Sequence, residues 1–172
     1  MTKGERFRRW AGAIALAVVV VNVALAFFFL RDAPVRSARP DDSIWRPGSW
    51  LPEPVAHAPL VAANGYLYLP GGAGNSGVRT TVYYAPIDVL GSIGAWRTTS
   101  ALPAGREYHA GVEGQGYLYV LGGYMSGPTG SVQYARILSD GTLGAWQNGR
   151  SLPGVRAGVR AAQYNGIIYV VG

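Results

Sequence analysis

The sequence predicts an all-β protein made of repeated four-stranded units, about two and a half of them, preceded by one transmembrane α-helix. Three observations carry that reading. Trp45, Trp96 and Trp146 recur at spacings of 51 and 50, each followed by a Leu-Pro pair. The residues around them are rich in Gly, Tyr, Trp, Val and Leu and poor in Lys and Glu, the bias of short strands and tight turns rather than helices. Ahead of them, Ala11 to Leu30 carries no charge over twenty residues.

Taken in order, residues 1–9 form a basic tail with Lys3, Arg6, Arg8 and Arg9. Residues 10–30 are long enough as a helix to cross a bilayer core of about 30 Å, with Trp10 placed as an interfacial aromatic. The excess of positive charge before that segment keeps the N-terminus in the cytoplasm and sends the remainder outside, although Arg31, Arg36 and Arg39 reduce the asymmetry. The competing reading is a cleaved signal peptide, since Ala24-Leu25-Ala26 has the small-x-small form of a cleavage site. Cleavage there would expose Phe27-Phe28-Phe29-Leu30, which an uncleaved signal anchor buries in lipid. Residues 31–43, with two Pro and mixed charges, read as a linker.

Residues 44–172 hold the repeats. Gly65-Tyr66-Leu67-Tyr68-Leu69, Gly116-Tyr117-Leu118-Tyr119-Val120 and Gly166-Ile167-Ile168-Tyr169-Val170 follow the same offset as the tryptophans, as do Gly71-Gly72 and Gly122-Gly123. Tyr84 through Trp96 aligns in register with Tyr134 through Trp146. One unit contains four strand-like runs, near His109 to Glu113, Tyr117 to Leu121, Ser131 to Leu138 and Leu143 to Asn148, parted by turn formers such as Gly114-Gln115-Gly116 and Asp140-Gly141.

A glycine pair closing the second strand, a later Tyr and a Trp opening the fourth, at a period near fifty, resemble the kelch repeat. The resemblance covers Ile44 to Gly172, with a longer span between Tyr84 and Trp96 than is usual. It is similar to the propeller at the centre of galactose oxidase, and its expanded Asp140-Gly141 hairpin is similar to kelch-like proteins of bacterial envelopes. The resemblance implies a β-propeller in which twisted four-stranded blades pack face to face, with Trp96 and Trp146 at the blade contacts. The glycine pairs then sit where the backbone turns sharply without a Cβ.

A closed propeller needs at least about four blades, whereas residues 44–172 supply a leading fourth-strand segment from Ile44 to Leu51, two blades and half of a third. The expectation is an incomplete ring: a truncated reading whose gene encodes further repeats, or, second to that, copies that associate with one another.

The formal charge of +6 is mostly juxtamembrane. From Ser43 onward eight Arg face five acidic residues and form no stripe, which speaks against a nucleic-acid groove. With no Cys there is no disulfide, thiolate metal site or Cys nucleophile, and the cysteine-containing copper site of galactose oxidase is excluded for this segment. Gly72-Ala73-Gly74-Asn75-Ser76-Gly77 matches the dinucleotide fingerprint, but the β-rich Thr80-Thr81-Val82-Tyr83-Tyr84 follows where the fingerprint needs a helix N-terminus.

His57 and His109 fall near the start of the first strand of their units, with no carboxylate or second His repeating beside them; each reads as a structural or exposed histidine or as a ligand-binding one. Arg106 and Arg156 both follow the Leu of a Leu-Pro pair by four residues. The resemblance places them near the central channel mouth, where a guanidinium binds carboxylates or acidic sugars; otherwise each pairs with a local acid such as Glu107 or with a backbone carbonyl. No carboxylate pair is spaced for acid-base work, and no cofactor or metal is indicated. The resulting expectation is a membrane-anchored binding module, outside the cytoplasmic membrane, for a protein or glycan partner. The alternatives are a carbohydrate-active enzyme resembling the kelch-type sialic acid mutarotases, and a fragment with no function.

Overall fold

The computed structural model describes residues 47–172, which form one compact unit, Pro47–Gly172. Trp45 and the segments 1–9, 10–30 and 31–43 lie outside the described residues; among the described residues no helix is long and apolar enough to cross a membrane.

Every regular element among them is a strand. The first sheet has the order β1 (Val61–Ala63), β2 (Tyr66–Pro70), β5 (Val82–Pro86), β6 (Arg97–Thr99), all antiparallel. Between β2 and β5 a small hairpin, β3 (Ala73–Gly74) and β4 (Gly77–Val78), takes up the would-be fingerprint glycines, so no helix follows them. The second sheet repeats the plan with β7 (Ala110–Gly114), β8 (Tyr117–Leu121), β9 (Val132–Arg136) and β10 (Gln147–Asn148). β11 (Arg160–Tyr164) and β12 (Ile167–Val171) pair as the opening strands of a third. Each first hairpin turns through a left-handed residue pair such as Gln115-Gly116, at φ 52° and 81°.

The third and fourth strands are shorter than the sequence runs that predict them. Pairing between β9 and β10 stops at Tyr134 and Gln147 and resumes as a single Ile137–Leu143 bridge, because Gly144-Ala145 interrupts the ladder before the Asp140-Gly141 turn.

The two core clusters lie between sheets. Tyr68, Val82 and Tyr84 of the first meet Leu118, Val120, Ala135 and Ile137 of the second. From the other face of the second sheet, Val112, Leu121 and Val132 meet Val159, Ala161, Ile168 and Val170 of the third. β8 shows the period-two logic: Leu118 and Val120 point to the preceding sheet, Tyr119 and Leu121 to the following one. These face-to-face sheets are arranged as successive blades of a β-propeller.

The tryptophans stitch blades together. Trp96 Nε1 donates to Ser49 O at 3.1 Å, and Trp146 Nε1 donates to Ser100 O at 2.9 Å. Residues 47–51 therefore take the same place against the first blade that the end of the first blade takes against the second. The glycine pairs stitch as well. Gly72 N donates to Arg106 O at 2.8 Å and Gly123 N to Arg156 O at 2.7 Å, each across a blade boundary. Both glycines have positive φ, and a Cβ would lie 2.6 Å from the Ala56 or Glu107 carbonyl oxygen. Only glycine fits there.

Candidate functional site

A cleft of about 430 Å³ opens where the first strands of the blades converge, lined by His57, Pro59, Leu60, Tyr108, Gly111 and Arg160 among others. Its chemistry begins in the backbone of the loop entering each blade. Tyr108 N donates to His57 O at 3.0 Å, and Gly158 N donates to Tyr108 O at 2.8 Å. This blade-to-blade chain of bonds holds all three residues in the left-handed region, with φ 57° at His57, 54° at Tyr108 and 74° at Gly158. Glycine takes that conformation freely in the third blade. A histidine and a tyrosine in the first two hold it at a cost of about 1 kcal/mol or more each.

The two side chains so placed interact. The His57 and Tyr108 rings stack with centroids 4.0 Å apart and planes 22° apart. His57 Nδ1 lies 3.0 Å from Glu107 Oε2, and Glu107 comes from the next blade's entry loop. The carboxylate favours the tautomer in which Nδ1–H donates to it. Tyr108 Oη stands 3.1 Å from His57 Nε2, but stacked rings bring the hydroxyl over the imidazole face rather than along the in-plane lone pair. The Nε2 edge is thus presented outward, and His57 and Tyr108 are each 42% exposed. Arg160 brings a positive charge to the same cleft, with Nη1 turned back on Val159 O at 2.9 Å.

The other predicted residues lie elsewhere. His109 is 3% exposed and lines the cleft from below; with Nε2 protonated it donates to Pro70 O at 3.0 Å. Burial first, and then the neighbouring Arg106 charge, hold its pKa down at about 3. It is a neutral interior group.

Arg106 is fully buried, and burial works against its charge. Its Nη1 donates to Gly122 O at 3.2 Å, and its Nη2 to Ser131 Oγ at 3.0 Å and Gln133 Oε1 at 2.9 Å. Arg156 repeats the first contact one blade on, donating from Nη1 to Gly172 O at 2.7 Å. Both arginines tie an entry loop to a carbonyl at the end of the second strand.

Glu107, Tyr108 and Arg160 were not among the candidates read from sequence. Tyr108 aligns with His57 in the repeat and carried that much signal. The Glu107 partnership carried none, because it crosses from one repeat to the next.

Sheet order, the inter-blade cores and the convergence of entry loops on one cleft define the class, a set of propeller blades. A solved structure with this architecture is that of YjhT, which matches with a TM-score of 0.57 at 23% identity, over 72% of this chain and 35% of that one. The chain thus spans about a third of the length of that relative. No family model matches the chain, and no curated protein matches its sequence.

Proposed function

We propose that the chain is a binding module, anchored by residues 10–30 outside the cytoplasmic membrane, whose entry-loop cleft takes an acidic glycan. One observation carries this: two non-glycine residues, His57 and Tyr108, keep the left-handed conformation that Gly158 meets without strain. Retained backbone strain at exposed aromatic groups points to side chains kept for contact rather than for folding. A flat Tyr108 ring face suits the apolar face of a sugar, the His57 and Glu107 edges suit its hydroxyls, and Arg160 suits a carboxylate.

Tyr108→Gly tests this. In the full chain in detergent micelles, relief of about 1 kcal/mol of strain offsets the lost stack, so the Tm is expected to stay nearly unchanged. Saturation-transfer NMR with N-acetylneuraminate, galacturonate and glucose is expected to show the acidic sugars bound by the parent chain and lost in the variant. Equal signals from both proteins would refute the site.

A second reading, a carbohydrate-active enzyme akin to the sialic acid mutarotases, draws on the His57–Glu107 pair, a histidine oriented by a carboxylate and so equipped to move a proton. The misaligned Tyr108 hydroxyl gives that proton no relay, which favours binding. Faster anomer exchange of N-acetylneuraminate with the parent chain than with His57→Ala would reverse the preference.

A further inference from the structure

The outer hairpins of the first two blades align residue for residue, yet their exposed tips differ: Asp88 stands where the second blade has Leu138, 42% exposed, and the next two positions differ the other way. Val89 and Leu90 stand where the second blade has Ser139 and Asp140. Val89 is 102% exposed and Leu90 76%. Beside the hairpin, Trp50, 95% exposed, occupies the position of the smaller Ala101 and Ser151 in the later repeats.

Contacts bring the segment just before Trp50 against the base of this hairpin. Ser49, next to Trp50, donates from Oγ to Gly94 O at 2.5 Å and accepts from Trp96 Nε1. The Cα of Gly48 faces Ile93, within 3.1 Å of where a Cβ would be. Ile93 closes the bridge to Ile87 at the base of the tip, and Asp88 Oδ1 accepts from Leu90 N and Ser92 N at 2.8 Å, fixing the turn that presents Val89 and Leu90. The first blade thus exposes a tryptophan on the segment beside the hairpin and two aliphatic side chains at its tip, where the second blade exposes Ser139, Asp140 and, less fully, Leu138.

We propose that this edge of the first blade, Trp50 with Val89 and Leu90, rests in the headgroup boundary of the bilayer that holds the anchor. The proposal rests on the anchoring reading of residues 10–30. The chain outside the described residues argues for lipid over another occupant. It carries a bilayer-length apolar run ending at Leu30 and re-enters at Pro47, three residues before Trp50. Residues 31–46, which reach at most about 55 Å even when fully extended, join that run directly to the first blade. Arg31, Arg36 and Arg39 on that tether favour an anionic surface. Trp at the interface with aliphatic side chains about 5–10 Å below the headgroups is the pattern of a peripheral contact.

Absence of cysteine makes single-site labelling clean. The full chain, reconstituted in vesicles of phosphatidylcholine and phosphatidylglycerol, is labelled with an environment-sensitive fluorophore at Val89→Cys, at Ser139→Cys in the equivalent tip, or at Ala17→Cys in the apolar run. Expected are about a twofold loss of Val89 and Ala17 fluorescence when nitroxide-labelled lipid is incorporated, and quenching of Ser139 only by aqueous iodide. An unchanged far-UV spectrum verifies folding of each variant.

If Ala17 is quenched by lipid while Val89 answers to iodide, the edge contact is refuted and the anchor stands. If neither answers to lipid, the anchor falls and the contact with it. Equal lipid quenching at Val89 and Ser139 refutes a contact specific to the first blade. A Val89 label shielded from both quenchers puts a protein surface there instead and also overturns the proposal.

Discussion

The first and second blades share one backbone plan and wire its polar interior in opposite ways. In the second blade a cation from the entry loop, Arg106, reaches Ser131 and Gln133 and is wholly buried. In the first blade the entry loop supplies the anion. Glu53 accepts from Arg79 and from Tyr83 Oη, and Tyr83 stands at the position of Gln133. The aligned residues at the other blade's positions, Val55 and Ala58 for Arg106 and His109, are apolar. Charge sign and donor direction are free to vary. The glycine and tryptophan stitches are not, because they satisfy backbone groups that every blade boundary exposes.

The sharpest way to break that comparison is to attack what both blades share. Gly123→Ala is expected to cost about 3 kcal/mol or more, since it strains a positive φ and drives a Cβ onto the Glu107 carbonyl, and Gly72→Ala is expected to match it. Thermal melts of the two variants within a few degrees of each other would confirm that the boundaries are equivalent. A benign Gly123→Ala would show that they are not.

What the blades do not share should separate them. Arg106→Leu leaves the Gly122 carbonyl and the side chains of Ser131 and Gln133 without their buried donor and is expected to cost about 2–3 kcal/mol in urea unfolding. Glu53→Gln acts on a solvent-screened pair and is expected to cost clearly less than Arg106→Leu. A reversed order would mean that the first blade carries the stability.

The pH dependence should carry a contribution from the second blade's His109 over one window. His109 has its folded pKa depressed to about 3 from the ordinary 6.5, so the unfolded chain takes up the proton first. Its contribution is whole above about pH 6.5 and drains as the pH falls toward the folded value, at up to about 1.4 kcal/mol per pH unit. Glu53, Asp88 and Asp140, whose pKa values hydrogen bonds hold below the carboxylate range, lose their contributions only further down, below about pH 4.5. Between pH 6.5 and 4.5 the slope is therefore expected to flatten in His109→Ala, measured by urea unfolding at each pH. An effect of about 1 kcal/mol is expected for Trp146→Phe, which keeps the ring packing and drops the bond to Ser100 O; Trp96→Phe should equal it.

The repeat itself made most of the fold legible. A glycine pair or a tryptophan at a fixed offset reports a backbone requirement, and backbone requirements recur with every blade. The ends of β9 and β10 were less legible, because Gly144-Ala145 breaks a ladder whose hydrophobic pattern runs on. The cleft was half legible. His57 stood out as one of two histidines, but its partner Glu107 belongs to the next repeat, and the left-handed φ of His57 and Tyr108 leaves no mark in composition. Arg106 read as a cation at the channel mouth, or as one paired with a local acid or a backbone carbonyl. Its burial depends on Gln133, a position that the first blade fills with Tyr83.

The boundary bonds from Gly72 to Arg106 and from Gly123 to Arg156 have a consequence for how such a chain can grow. Each joins a glycine amide to a main-chain carbonyl, so neither side chain at the boundary has to match its neighbour. A gene that duplicates or loses one period in frame would therefore bring every seam together again, whatever charges the new blade carries. Blade number is open to change in a single recombination event, while the loops around the cleft diverge one residue at a time.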